Sequence, residues 1–317
     1  MTDLSRGEFL KLTPLLTMFN QGRVFAKDSI TTKTLPSVCM FSKHLSFLDY
    51  KHLGVALKQI GFDGVDLTVR PKGHVLPENV EHDLPLAAEI IRAEGIDLPM
   101  ITTNLTSPDD PTALPTLRTA ADLGIPYYKL GYYYYDDLGR LDVTLAHVKK
   151  SVEGLAALGS HVGIQGGFHT HNGRTVGSAM WDNWWIQRDL DLPSMGFYFD
   201  PCHATIEGGN WGWKIGFHRL ASRINIVSLK DFYWEKRSGK WRVRYCPMGE
   251  GMVRFDEFFK MLSLISFHGP ISVHLEYEIN GSTESARQNN TLTAIEKDLR
   301  FVQDKLTQAY RISDSRP

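Results

Sequence analysis

Val38-Cys39-Met40-Phe41, a helical pattern through Leu48, Leu53, Val55, Ala56 and Ile60, the turn Gly61-Phe62-Asp63-Gly64, and the run Val65-Asp66-Leu67-Thr68 form the stretch on which the fold turns. A short apolar run, a helix and a second short apolar run make a strand–helix–strand unit. Its two strands pair in parallel, because the helix carries the chain back to the end where the first strand began. The rhythm continues toward the C-terminus, with further strand-like runs at 98–103, 127–131, 162–168, 196–200, 224–229 and 271–275. Helical patterns lie between them, among others at 86–93, 114–123, 145–158 and 255–264. Eight such units over about 280 residues match an α/β fold closed as a (β/α)8 TIM barrel. An open doubly wound sheet ranks second, because no GxGxxG follows the first run. The expected organisation is an N-terminal extension, residues 1–34, followed by a single barrel domain, residues 35–317.

Composition narrows the classes of function. The 317 residues are 42% hydrophobic and 22% charged, the balance of a folded globular protein. Lys and Arg number 35 against 36 Asp and Glu, a net charge of -1, and the longest basic clusters are Lys149-Lys150 and Lys236-Arg237. Nucleic acid is therefore not an expected partner, since phosphate binding needs a basic surface. Cys39, Cys202 and Cys246 are odd in number and widely spaced, which reads as free thiols. No apolar run approaches the roughly 18 residues of a spanning helix.

The first residues read differently. Ser5-Arg6-Gly7-Glu8-Phe9-Leu10-Lys11, with an apolar stretch from Leu12 to Phe19, resembles a twin-arginine export signal in which Gly7 replaces the second arginine. Val24-Phe25-Ala26 would serve as its cleavage site. A working signal places the mature protein, from near Lys27, in the periplasm or outside the cell. Otherwise residues 1–34 are an amphipathic extension and the protein is cytoplasmic.

A TIM barrel carries its site at the C-terminal ends of its strands, which turns the list of runs into a list of candidates. These are Lys43 and His44; Arg70 and His74; Asn104; Tyr132 to Tyr135; His169 and His171; Asp200 and His203; Lys230 and Asp231; and His274, Glu276 and Glu278. Trp181, Trp184 and Trp185 follow the fifth run, Trp211 and Trp213 the sixth and Trp234 the seventh. Tryptophan faces stack on the C–H faces of sugar rings, so a carbohydrate is the expected small molecule. Arg70, Lys72 and Gly73 offer a place for a phosphate, although no glycine-rich phosphate loop is present.

Gly61-Phe62-Asp63-Gly64-Val65-Asp66, Phe199-Asp200-Pro201-Cys202-His203-Ala204 and Leu229-Lys230-Asp231 occur here in order. Pro247-Met248-Gly249-Glu250-Gly251 with Phe255, and His268-Gly269-Pro270-Ile271-Ser272-Val273, follow them. The ordered set resembles the xylose-isomerase-like superfamily of sugar and sugar phosphate isomerases and epimerases. That resemblance implies a divalent metal on strand-end Glu, Asp, His and Glu ligands from the fifth to eighth strands. It also implies carboxylates that take and return a proton beside a carbonyl. Asp200 stands at the sixth-strand position, and His203 matches a substrate-contacting histidine. His169 replaces the fifth-strand glutamate, Ser228 the seventh-strand histidine, and His274 the last glutamate, with Glu276 two residues further along.

The expected metal ligands are thus His169, Asp200 and His274, suited to Mn, Zn, Fe or Co. Glu276, His274, Lys230 and His171 are the expected catalytic groups. His203, Arg70, His74, Asn104 and Trp181 are the expected substrate contacts. The alternatives are a lyase using the same proton abstraction and a sugar-binding barrel that has lost its metal. An apurinic-site endonuclease, which shares this barrel, lacks support in the charge and in the Ser228 position. Homodimers, the commonest oligomers, set the only expectation for assembly.

Overall fold

The computed structural model describes residues 35–190 and 193–314, so the export-like segment lies outside the described residues. Its barrel strands are β1 (Val38–Phe41), β2 (Gly64–Thr68), β3 (Asp97–Thr102), β4 (Tyr127–Lys129), β5 (Gln165–His169), β6 (Met195–Phe199), β7 (Ile224–Leu229) and β10 (Ile271–Val273). They pair in parallel in that order, and β10 returns to β1, closing the TIM barrel that the sequence predicts. Helices α1 (Tyr50–Ile60), α2 (Val80–Ala93), α3 (Ala113–Asp122), α4 (Leu141–Val162), α5 (Met180–Gln187), α6 (Pro201–Leu220), α7 (Phe255–Leu264) and α8 (Glu284–Asp314) supply the crossovers and the last turn of the chain.

Local chemistry sets the element ends. Asp49 caps α1 by accepting the His52 N–H at 2.8 Å. Gly61 ends the same helix at φ 102°, a left-handed position where a side chain would be strained. Gly163, at φ 85°, ends α4 in the same way. That cap corrects the fifth run: Val162 is the last helical residue, and the strand begins only at Gln165. An apolar Val-Gly-Ile reads alike as helix end or strand start.

Side chains alternate across each strand, and this parity decides what the barrel encloses. Cys39, Met100, Tyr198 and Ile226 pack together as a buried layer, with Tyr127 against it. The main core lies between the strands and the helices and takes the other face. Two residues beyond the inner layer on each strand come Phe41, Thr102, Lys129, Asp200 and Ser228. The inward-facing series thus runs straight from barrel core to site.

One element was not anticipated. Asp231 does not end at a loop but starts an antiparallel hairpin, β8 (Asp231–Arg237) with β9 (Lys240–Cys246). The Asp231 carboxylate accepts four backbone N–H groups, from Phe232 (2.8 Å), Gly249 (3.0 Å), Gly251 (2.9 Å) and Val253 (3.1 Å). The Leu-Lys-Asp and Pro-Met-Gly-Glu-Gly motifs are therefore two halves of one loop anchor, and Asp231 is saturated by backbone instead of facing substrate. A Cβ on Gly251 would collide with this carboxylate and with the Phe232 carbonyl. Gly251→Ala should lower stability by about 1–3 kcal/mol, as read from a denaturant melt; an unchanged midpoint would remove the anchor from the account.

Candidate active site

The inward series opens into a cavity of about 240 Å³ at the C-terminal ends of the strands. That is below the roughly 300–1,000 Å³ of sites for drug-sized ligands, and suits a molecule of monosaccharide size. Of the predicted site residues, Arg70, His169, His171, His203, Lys230, His274 and Glu276 line it, and Asp200 lies fully buried beneath. Three predicted substrate contacts do not. Trp181 is 57% exposed and lines a separate groove with Met180 and Ile215. Asn104 follows the end of β3 and faces solvent. His74 turns back on its own loop, where its N–H and ring both meet Thr68 Oγ1.

The tryptophan expectation fails for a common reason. Trp213 is core, Trp184 and Trp185 pack against it, and Trp211 is 68% exposed, so none of the six named tryptophans lines the cavity. The aromatic wall is instead Phe41, Tyr132, Tyr198 and Tyr245. Trp181→Ala should leave sugar affinity within about twofold, as measured by calorimetry, in line with other surface substitutions; a larger loss would bring its groove into the site.

Asp200 organises the floor. It is the residue before α6, with Pro201 in the first helical turn, and Oδ1 accepts the N–H groups of Cys202 (2.9 Å) and His203 (3.0 Å). Oδ2 accepts from Ser228 Oγ (2.8 Å), from His169 Nε2 (3.3 Å) and from the Lys230 ammonium. Burial alone would push this carboxyl up, but His203, Lys230 and His169 around it hold it well below its ordinary value. Burial likewise works against charge on Lys230, and Asp200 outweighs it, so Lys230 remains an ammonium. The two form a buried ion pair.

Burial works against charge on the nearby imidazoles. Burial brings His169 down to about 3 and His171 to about 4, and lowers His203 and His274 well below the ordinary value. His274 shares a 3.0 Å hydrogen bond with Tyr198 Oη and stacks on Phe41 with centroids 4.4 Å apart. Beneath, Asp66 accepts from Thr102 Oγ1 (2.7 Å) and Ser272 Oγ (2.8 Å), and burial raises it to about 6.

Glu276 stands on the cavity wall, and Lys43 Nζ donates to both of its oxygens, at 3.1 and 3.0 Å. Burial would raise its carboxyl, but Lys230, His44 and Lys43 outweigh burial and lower it. Lys129, which the sequence reading did not single out, is almost wholly buried on β4, with Nζ 3.5 Å from the centre of the Tyr132 ring. Burial, then the Arg70 charge, lowers it to about 7. Its inward parity on β4, two residues after Tyr127, was the signal that could have found it.

The donor atoms of His169, Asp200 and His203 all lie within 4.8 Å of one another, so a three-residue cluster of metal-ligand type exists. It contains His203 in place of the predicted His274. A metal does not fit the donors as arranged. A carboxylate has about four lone-pair sites, and Asp200 already accepts five hydrogen bonds, two on Oδ1 and three on Oδ2. His169 Nε2 is turned onto Asp200 and Ser228, and the Lys230 cation rests on the same oxygen that a metal would need.

A family model described as xylose isomerase-like TIM barrel matches residues 55–305. Among solved structures, an L-ribulose 3-epimerase is similar at 14% identity, covering 89% of this chain and 100% of that one, with a TM-score of 0.66. D-psicose 3-epimerase with D-tagatose from Clostridium cellulolyticum H10 is similar at 14% identity, over 85% and 99%, with a TM-score of 0.64. The E. coli 3-keto-D-glucoside 4-epimerase is similar at 13% identity, over 81% and 99%, with a TM-score of 0.61. These likenesses show a shared fold. No curated protein matches the chain. No described helix is long and apolar enough to cross a membrane.

Proposed function

The chain belongs to the xylose isomerase-like TIM barrel family, and from that premise we propose that it is a sugar or keto-sugar isomerase or epimerase. Its reaction is proton abstraction at the carbon beside a carbonyl. The observation that carries this reading is the pairing of one ionised carboxylate, Glu276, with a wall of basic side chains, Lys43, Arg70, Lys129 and Lys230, around a single small cavity. Such a wall stabilises the oxyanion that forms when the carbon gives up its proton. The structural relatives named as epimerases of sugars support a carbohydrate as substrate.

The roles divide by charge and place. Glu276 takes the proton. His171 and His274, neutral imidazoles on the wall, accept or return protons at the neighbouring oxygen. His203 and Arg70 hold hydroxyls, and the aromatic wall packs against the apolar side of the ring. No step in this reading passes through a metal. Residues 35–317 act as one barrel domain, and whether residues 1–34 serve as an export signal or only as an extension would decide the compartment.

The test is to incubate keto-sugars with the full chain and look for a second diastereomer by NMR. Conversion of one sugar supports the proposal; tight binding of sugars with no conversion of any would leave a binding barrel instead. The pH profile gives an independent check. A carboxyl with a lowered pKa stays ionised as pH falls through neutrality, so turnover at saturating sugar should hold until below 4.5, the ordinary glutamate value. A loss centred near the ordinary histidine pKa of about 6.5 would move the base to an imidazole.

A further inference from the structure

We propose that the Lys230 ammonium is the resident cation of this barrel: it sits on Asp200 where a metal would sit, and it receives the carbonyl oxygen of the substrate. The catalytic half of this inference rests on the isomerase reading above. The occupation of the cation position does not.

Three observations converge. Lys230 continues the inward series of β7 after Ile226 and Ser228, so its stem rises through the barrel and its amine arrives at Asp200 Oδ2. Ser228 stands two residues earlier, where the family resemblance expects an imidazole, and donates to the same oxygen at 2.8 Å. A hydroxyl and an ammonium from one strand thus take over the contacts that a metal would otherwise make with that carboxylate. Lastly, an ammonium carries three N–H donors, and among the described residues only Asp200 accepts from it. Lys230 lines the cavity, so its remaining donors are available to an oxygen held there.

The step balances without any further reagent. The C–H proton passes to a Glu276 oxygen, the C–H electron pair becomes the new C=C bond, and the carbonyl π pair moves onto oxygen. The resulting enediolate oxygen is hydrogen-bonded by Lys230. Return of the Glu276 proton to the neighbouring carbon, with the hydroxyl proton passing to the enediolate oxygen, gives the isomer. The epimer forms when the same carbon instead takes a proton from the other face, relayed from water by His171 or His274, and Glu276 releases its own to water. Lysine is a compact charge with mobile donors, and Asp200 holds it in place.

The experiment is a Co(II) titration of the chelator-treated full chain, without sugar, followed by the visible absorption of bound cobalt. The wild type is expected to take up no stoichiometric cobalt. Lys230→Ala removes the competing cation and leaves Asp200 Oδ2 only the Ser228 hydroxyl and the His169 ring, both of which can turn to admit a metal. His169, Asp200 and His203 should then bind one equivalent, tighter by on the order of 100-fold. Lys230→Gln, which keeps the length without the charge, should move in the same direction if the alanine variant folds poorly. One equivalent bound by the wild type as tightly as by the variants would overturn the proposal. So would failure of both variants to gain affinity. For the catalytic half, chelator-treated wild type should keep its full turnover, and Lys230→Ala should lose about 100-fold or more in kcat, as for a removed oxyanion donor. Turnover that disappears on chelation and returns with metal would contradict it. Because the titration contains no sugar, its outcome stands whether or not any sugar proves to be a substrate.

Discussion

Glu276→Gln should slow proton exchange at the substrate carbon by roughly 10²–10⁴-fold, the range for a positioned general base, while sugar affinity changes by no more than about threefold. The amide keeps the size of the side chain and can still accept from Lys43, but it cannot take a proton. Among the described residues, Glu276 is the one acidic side chain on the cavity wall, since Asp200 lies beneath the floor and Asp231 is saturated by four backbone N–H groups. Isotope exchange with the variant, together with calorimetric binding, separates the two quantities. Unchanged exchange would assign the proton to His171 or His274. Lost binding with normal exchange per bound sugar would make Glu276 a substrate contact.

Asp200→Ala should have the largest effect on stability of any substitution in the site. It strands a buried ammonium and removes the acceptor for the first N–H groups of α6. Breaking a buried pair by removing one partner costs about 3–5 kcal/mol, and losing a cap costs about 1 more. At roughly 2 °C per kcal/mol for a chain of this size, Tm should fall by about 8–12 °C. Asp200→Ala with Lys230→Met, which removes both charges, should recover a good part of that loss; a double variant no more stable than the single one would show that the pair is not what Asp200 contributes.

The pH signs follow from the same pair. The Asp200 carboxyl is lowered, so its contribution is present above 3.8, the ordinary value, and lost as pH falls through the lower folded value. The Lys230 amine is raised, so its contribution is complete below 10.5 and lost as pH rises through the higher folded value. Thermal stability owed to this pair should therefore be flat across neutral pH.

The barrel was legible because alternating apolar runs and helical patterns are a local signal, repeated along the chain. The floor of the site was legible for a related reason: Asp200, His203 and Lys230 follow their strands directly, where strand-end position and spatial position coincide. The tryptophans misled because they lie on α5, α6 and the β8 hairpin strand, beyond the barrel strands. Their exposure depends on how α5 and α6 pack, and no local pattern carries that information. His74 and Asn104 misled because nearness in sequence to a strand end does not set direction once the strand stops. Counting by twos from the buried layer recovers what was missed, since Phe41, Thr102, Lys129 and Tyr198 all lie on the inward series. The hairpin after β7 is not legible locally, because three of the four backbone groups that Asp231 holds lie 18 to 22 residues further along the chain.

The central claim is that this cavity removes a proton from the carbon beside a sugar carbonyl without help from a metal. It is tested most directly by incubating the chelator-treated wild-type chain with keto-sugars in D2O and reading deuterium incorporation by NMR and mass spectrometry. The expected result is one deuterium at one carbon next to the carbonyl, in at least one sugar, at a rate that added metal does not change. Sugars that bind but remain fully protonated, or exchange that begins only when metal is supplied, would contradict it.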